Sequence, residues 1–485
     1  MQTANKKSKQ DKIPPVDEFF KLFASAGLKE RILFTLAIIV IYRIGVHIPI
    51  PGVDPGAFTK HPELAQSLLG MYDLFTGGAL NRLSIFSMGI GPYITSSIIM
   101  QMMCYIVPKL EELQKHSGEQ GRKQIQQYTR MGTIFFASVQ SFTLVNLLGK
   151  IHNPDLVLTP GIPFLIVSTI LLTASAVLIM WFGEQITEKG VGNGASLLIF
   201  LGISARIPVM VKNTYDAVQT GQSPTWGVVL MIATLLLLAA LVVCLQLGQR
   251  KIAIVGSKRV VGNQMYVGDN YLPLPVNPSG VMAIIFASST FMFPTTVMSF
   301  MGKNNADPWA GVYYLFSNIP GVGKIYASFC HLPVIQAIWG FICQETINTF
   351  SYSKPEYSIA YFLLILFFAF FYASMILPVR DMAENLRRSG SAIQGIRPGK
   401  PTSDFLEATL NKLIFIGATS VAIIAILPIH VEQFTYIQTL RGLGSTSLII
   451  LVGVAIDTQK QILTHALSAQ YQARGLFKAP STKET

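Results

Sequence analysis

Ten apolar runs punctuate the chain, near Arg31–His47, Met88–Val107, Tyr128–Leu148, Ile162–Phe182, Gly194–Val211, Trp226–Leu247, Ser279–Met301, Ser358–Leu377, Leu410–Leu427 and Ser445–Ile462. Each approaches the roughly 20 residues that cross the hydrocarbon core of a bilayer as a helix. Lipid offers no partner to backbone polar groups, so runs of this length must be helical, and the period-two alternation of a membrane barrel is absent. The pattern predicts an all-α, polytopic membrane protein with about ten transmembrane helices. Ahead of the first run, Val16–Glu30 places Phe19, Phe20, Leu22 and Phe23 among Asp17, Glu18, Lys21 and Lys29, the pattern of an interfacial amphipathic helix. The first run ends in Pro49, Pro51 and Gly52 without a small-residue cleavage motif, so it is read as a span and not as a cleaved signal peptide.

With both ends on one side, ten spans divide into two sets of five of opposite orientation, the topology of inverted repeats. The expected organisation is an N-tail with an amphipathic helix over 1–30, a first half over 31–211, a connecting outer hinge over 212–225, a second half over 226–462 and a tail over 463–485. The second span points to a cavity within the bundle. From Leu74 the sequence is half-length and apolar, is interrupted at Gly89, Gly91 and Pro92, and resumes as a full helix from Pro92. Proline removes a donor and glycine weakens helicity, so a short helix, a break and a full helix are expected. Broken helices at membrane depth need protein or a water cavity around them, although a kinked ordinary span fits the same residues. Asn81, Arg82 and Ser84 are too polar for lipid and suit a segment folded back into a funnel.

Composition agrees with the pattern: 51% of the 485 residues are hydrophobic, 13% are charged and the mean hydropathy is +0.47. A soluble fold is thereby disfavoured. The net charge of +12 would suggest a nucleic-acid partner in a soluble protein, but here its distribution sets topology. With the N-terminus inside, only Lys60, Arg82, Lys150, Lys212, Lys303, Lys324, Lys354 and Arg441 of the 37 Lys+Arg fall in outer segments, and Arg43 and Arg206 lie near span ends. The positive-inside rule then places both termini in the cytoplasm.

Two inner segments are long and basic. Gly248–Asn277 carries Arg250, Lys251, Lys258 and Arg259, then Val260, Val261, Met265, Tyr266 and Val267, which suggests a hairpin in the cytosol. Arg380–Phe405 carries Arg380, Arg387, Arg388, Arg397 and Lys400 with turns at Gly395 and Pro398-Gly399. The outer segment Gly302–Tyr357 contains an apolar stretch, Leu332–Cys343, too short to span unless tilted or re-entrant. Of four cysteines, Cys104 and Cys244 sit near span ends; Cys330 and Cys343 share this outer segment, where two free thiols are expected unless the compartment is oxidising.

The spans carry no buried acid, base or histidine pair for proton or ion coupling beyond residues near their ends such as Arg43, Glu184, Arg206 and Asp457, which argues against a secondary transporter. There is no phosphate-binding loop, metal-ligand motif or nucleophile elbow, so no catalytic residue, cofactor or metal is expected. Any transport must draw its energy from a partner.

The motif Tyr42-Arg-Ile-Gly-Val-His-Ile-Pro-Ile-Pro-Gly52 resembles the first-helix signature of the SecY family of bacterial protein-conducting channels, and the resemblance continues in order. It runs through Thr76-Gly-Gly-Ala-Leu, Ser84-Ile-Phe-Ser-Met-Gly-Ile-Gly-Pro-Tyr-Ile94, Gln127-Tyr-Thr-Arg130, Trp181-Phe-Gly-Glu-Gln-Ile-Thr187, Gly192-Asn-Gly194, Gly248-Gln-Arg-Lys251, Phe286-Ala-Ser-Ser289, Asn385-Leu-Arg-Arg-Ser-Gly390 and Gly395-Ile-Arg-Pro-Gly399. The resemblance implies a clamshell of two five-helix halves around an hourglass pore in the cell inner membrane. Such a channel passes unfolded, signal-sequence-bearing preproteins and releases transmembrane segments sideways into the lipid bilayer. It also implies the small subunits SecE and SecG, and docking of the motor SecA or a translating ribosome on the cytosolic loops. By motif position the plug is residues 74–88, with Leu74, Phe75, Gly77, Gly78, Asn81 and Arg82, and the docking charges are Arg250, Lys251 and Arg397. Each of these basic residues, taken alone, is equally accounted for as a solvated charge that sets topology.

A polypeptide-wide pore that must not leak ions calls for an apolar constriction, which closes by dewetting. Ile90 and Ile94, four residues apart, can share a helix face; family position adds Ile199, Ile285 and Ile450. Thr95 and Gln140 are expected near the seam that opens to lipid, where polar side chains can pair between helices. In one respect the chain departs from the family pattern: its outer segment 302–357 is longer than the resemblance leads one to expect.

Overall fold

The computed structural model describes residues 26–53, 76–115, 118–150, 161–221, 224–255, 259–261, 264–266, 270–290, 355–435 and 445–473. The N-tail up to residue 25, plug residues Leu74 and Phe75, the outer stretch with Leu332–Cys343, Cys330 and Cys343, and the C-terminal tail from residue 474 lie outside the described residues.

Among the described residues each of the ten apolar runs overlaps a helix, the seventh over 282–290. The first half contains α1 (Ala26–Gly45), α2 (Gly91–Ile106), the short α3 (Pro108–Lys115), α4 (Gly118–Lys150), α5 (Ile162–Lys189) and α6 (Gly194–Gln219). The second contains α7 (Thr225–Leu247), α8 (residues 282–290), α9 (Pro355–Ile376), the short α10 (Val379–Arg388), α11 (Lys400–Thr435) and α12 (Ser445–Ala473). Six of these helices are long and apolar enough by themselves to cross a membrane among the described residues. Many of their large apolar side chains, such as Leu236, Leu237, Ile359 and Leu363, face outward, as lipid-facing positions should.

Local chemistry sets several boundaries. Pro92 occupies the first turn of α2, where its missing N–H costs nothing. Asn193 caps α6, its side-chain oxygen accepting from the N–H groups of Ala195 (3.1 Å) and Ser196 (3.3 Å). α6 runs on to Gln219, so the expected hinge 212–225 is helical over its first two turns. α4 is 33 residues long, about 50 Å at 1.5 Å per residue, and its polar first turns extend past the hydrocarbon thickness.

Within the first half, α4 packs against α2 and α5, and α5 against α1 and α6; within the second, α11 packs against α7, α9 and α12. The halves meet where α12 touches α1 and α6, and through an apolar core that contains side chains of both.

The architecture is all-α in the membrane, with small sheets outside it. β1 (Gln249–Val255) pairs antiparallel with β4 (Asn270–Pro275), and β2 (Arg259–Val261) with β3 (Gln264–Tyr266), giving the hairpin expected from the alternating sequence. A further strand, β5 (Ala392–Ile393), joins the other edge of β1, placing Ile254 opposite Ile393 and Val255 opposite Ala392. Under this sheet Ile252, Leu274, Ala383, Ile393, Leu406 and Leu410 form a separate buried cluster.

Candidate functional site

Among the described residues of the expected half-length helix, Thr76 is helical, but Gly77–Ile90 are a succession of turns up to α2, with Ser84 bridged to Pro49. Gly77, Gly78 and Gly89 have φ of 70°, 89° and 53°, and Leu83 also lies in the left-handed region at 46°. Left-handed residues at this frequency cannot propagate an α-helix. Hydrogen bonds go instead to the loop after α1: Ile50 N–H donates to Leu83 O at 2.8 Å, and Ile85 N–H to Ile48 O at 2.9 Å. Leu80, Leu83 and Met88 are buried with Ile50, Val53, Leu144, Val145, Leu148 and Leu172, so the segment rests on α4 and α5.

Two glycines permit close approaches here. A Cβ on Gly77 would lie 2.9 Å from the Gly202 Cα of α6. On Gly45 of α1 it would lie only 2.0 Å from Cε2 of Phe86, whose ring stacks on Tyr42 with centroids 5.7 Å apart and planes 14° off parallel. Gly77 is buried and Gly78 half-buried, while Asn81 is half-buried and Arg82 exposed.

The five isoleucines expected at a constriction come together in one buried apolar cluster: Ile90 and Ile94 beside and within α2, Ile199 in α6, Ile285 in α8 and Ile450 in α12. Their exposure ranges from 0% at Ile450 to 8% at Ile94. They come from both halves. Sequence reasoning missed Ile98, Ile179, Ile203 and Ile449 of the same cluster; Ile98 continues the four-residue spacing of Ile90 and Ile94, a signal that was available.

At the edge between the halves, the Tyr105 ring of α2 meets Phe371 of α9 edge-on at 5.7 Å, and Phe286 of α8 meets Phe368 and Tyr372 of α9 at 6.0 and 5.5 Å. Thr95 turns its hydroxyl to its own helix, donating to Gly91 O at 3.2 Å. The half-buried Gln140 has an Oε1 with no hydrogen-bond partner. The two side chains are thus not paired with each other across helices.

On the cytosol-assigned face, pairing of β1 with β5 joins the two basic loops into one platform. Arg250 and Lys251 are exposed on β1, Lys251 with its Nζ 4.6 Å from the centre of the Tyr271 ring, and Arg397 is exposed in the turn after β5. Arg397's carbonyl accepts from the Thr402 hydroxyl at 2.9 Å, tying that turn to the start of α11. Sequence reasoning also missed the contact behind Ile90, where Glu184 of α5 holds Arg130 and Gln126 of α4.

Two sets of spans meeting on a shared apolar core define a multi-pass α-helical membrane protein of channel architecture. The SecY family model matches residues 84–459. The protein translocase subunit SecY of Synechocystis sp. is 39% identical over 476 residues, covering 97% of this chain and 99% of that one. The SecY of Aquifex aeolicus is 35% identical over 464 residues, covering 94% and 99%. Among solved structures, "The structure of a protein conducting channel" matches with a TM-score of 0.60 at 17% identity, covering 92% of this chain and 94% of that one. "Sec61 in the Canine ribosome-channel complex from the endoplasmic reticulum" matches at 0.55 and 15% identity with the same coverage. The chain belongs to the SecY family.

Proposed function

We propose that the isoleucine cluster is the closed constriction of the protein-conducting channel that this SecY-family subunit forms. The observation that carries the assignment is the burial of Ile90, Ile94, Ile199, Ile285 and Ile450 in one apolar cluster drawn from both halves. Side chains of this kind exclude water and ions when closed, yet have no fixed ligand geometry and can part around any passing sequence. Residues 74–88 plug the outer side of this constriction. The described part, 76–88, is held to the loop after α1 by the Ile50–Leu83 and Ile85–Ile48 backbone hydrogen bonds, to α5 by the Ser175 hydroxyl donating to Ile85 O, and to α4 and α5 by apolar contacts, an attachment without covalent or ionic links between these groups that suits a segment that leaves and returns. The aromatic edge between α2, α8 and α9, with Thr95 on α2 and Gln140 on the adjoining α4, is the seam through which apolar segments reach lipid.

The chain acts as a channel and not as an enzyme, so a partner supplies the energy. Arg250, Lys251 and Arg397 offer that partner a single charged platform, consistent with a SecA-type motor or a ribosome; a likeness to Sec61 in a ribosome–channel complex supports the latter. SecE and SecG would cover part of the exposed apolar surface. The location is the inner membrane with both termini cytoplasmic, as the distribution of Lys and Arg favours.

A photo-crosslinker placed in turn at positions 94, 199, 285 and 450 tests the constriction. With a preprotein stalled in transit, all four positions should label the same short stretch of it. Labelling of lipid alone from any of them would remove that residue from the pore.

A further inference from the structure

A mixed-charge cavity of about 430 Å³ opens between α10 and the first turns of α11. Its two walls repeat one spacing. Arg380, Ala383, Glu384 and Arg387 stand at i, i+3, i+4 and i+7 on α10, and Lys400, Ser403, Asp404 and Glu407 at the same intervals on α11, so each set shares a helix face. The small residue at the second position of each face, Ala383 or Ser403, leaves the space; Ala383 is buried and joins the floor to the apolar cluster under the sheet. Three basic and three acidic side chains thus surround a space of ligand size. Glu384 is already engaged outside the cavity, its Oε1 2.7 Å from Nη2 of Arg388. Among the described residues the other five, Arg380, Arg387, Lys400, Asp404 and Glu407, make no ion pair, although bases and acids line the same cavity.

The cavity lies where water meets hydrocarbon. Arg380 follows the end of α9 at Ile376 by four residues, and Glu407 stands three residues before Leu410, where the apolar run of α11 begins. On the membrane side of these two residues, Ile376 and Phe415 are 44% and 56% exposed and offer apolar surface to acyl chains. We propose that the α10–α11 cavity binds the headgroup of one zwitterionic phospholipid with a primary ammonium, the phosphatidylethanolamine class. Arg380, Arg387 and Lys400 take the phosphate, the guanidinium groups offering it paired N–H donors. Asp404 and Glu407 accept from the ammonium. A ligand carrying both charges satisfies both sets of side chains at once, whereas an anionic headgroup leaves the two carboxylates without a donor. Choline carries positive charge but has no N–H to donate to them. Soluble phosphoethanolamine compounds share the two charges; the apolar surface beside the cavity is what favours a lipid. The site is separate from the constriction and from the docking charges Arg250, Lys251 and Arg397.

The test uses the full complex, purified in detergent and stripped of lipid. It is titrated with phosphatidylethanolamine, phosphatidylcholine and phosphatidylglycerol of identical acyl chains, and bound lipid is counted by native mass spectrometry. One phosphatidylethanolamine should be retained about tenfold more tightly than either other lipid, the worth of one charge-assisted hydrogen bond. D404N/E407Q should erase its advantage over phosphatidylglycerol, and R380Q/R387Q should weaken its binding about tenfold. All four side chains are exposed, so the variants keep the fold. Equal retention of the three lipids, or a preference that survives D404N/E407Q, would overturn the proposal. Glycerophosphoethanolamine carries the same two charges without acyl chains and should fail to displace the lipid at equal concentration. Displacement would assign the cavity to a soluble zwitterion and overturn the lipid assignment.

Discussion

Gly45→Ala is a one-methyl change that should open the resting channel. The new Cβ would stand 2.0 Å from Cε2 and 2.6 Å from Cζ of Phe86, so the ring must leave its place on Tyr42. Phe86 is 3% exposed and lies near the end of the plug, in the turns that lead to α2. Losing a buried phenylalanine costs about 3–5 kcal/mol. If displacement forfeits only about half of that, the closed arrangement loses roughly 2 kcal/mol relative to any arrangement in which the ring is already free. At about 1.4 kcal/mol per factor of ten, the open fraction rises about thirty-fold. Ion flux through purified channels in planar bilayers, at rest and without preprotein, reads this directly. Phe86→Ala should give a similar rise, and G45A/F86A should be no leakier than F86A alone, because the added methyl then meets no ring. A G45A channel as tight as wild type, or a double variant leakier by the product of the single effects, would refute the reasoning.

Arg397→Glu should abolish motor- or ribosome-driven transport in reconstituted vesicles while subunit assembly stays intact, since charge reversal at a desolvated contact costs several kcal/mol and at a free surface little. Ile393→Asp would bury a charge beneath the β1–β5 pairing; it should reduce transport as R397E does, and protease cleavage within 256–269 should accelerate. Gly77→Ala puts a side chain at φ 70° and 2.9 Å from the Gly202 backbone, so it should raise resting conductance, whereas Gly78→Ala, strained but facing no neighbour, should raise it less. Crosslinkers at Thr95 and Gln140 should label an engaged signal sequence; labelling only from helices remote from the α2–α9 edge would count against the seam.

The spans were legible because ten runs of near-bilayer length leave the backbone no alternative to helix. Their true lengths were less so: the polar starts of α4 and α11 are helical but not apolar, and hydropathy does not see them. The turn-rich residues 76–90 read as a short helix because Ala79, Leu80 and Leu83 are apolar and spaced as in one; the left-handed Leu83 is imposed by its hydrogen bonds to the loop after α1. Of the constriction, only Ile90, Ile94 and Ile98 share a local period, while Ile199, Ile285 and Ile450 meet them through topology that periodicity does not encode. The hairpin showed as alternation, but the pairing of Ile254 with Ile393 joins residues too far apart in sequence for any local pattern. Glu184 and Arg130 each stand in a family motif near a span end, but their pairing joins residues 54 apart in sequence on two different helices, which no local pattern connects.

The central claim is that branched apolar side chains hold this channel shut against ions. Resting conductance of the purified complex in a planar bilayer tests it, comparing wild type, Ile94→Gly/Ile199→Gly and the same double variant lacking residues 74–88. Both isoleucines are at least nine-tenths buried in the shared cluster, so their removal takes two branched apolar side chains out of it and lets water enter. The account predicts a tight wild type, a leaky double variant and a leakier one once the plug is gone; a double variant as tight as wild type would contradict it.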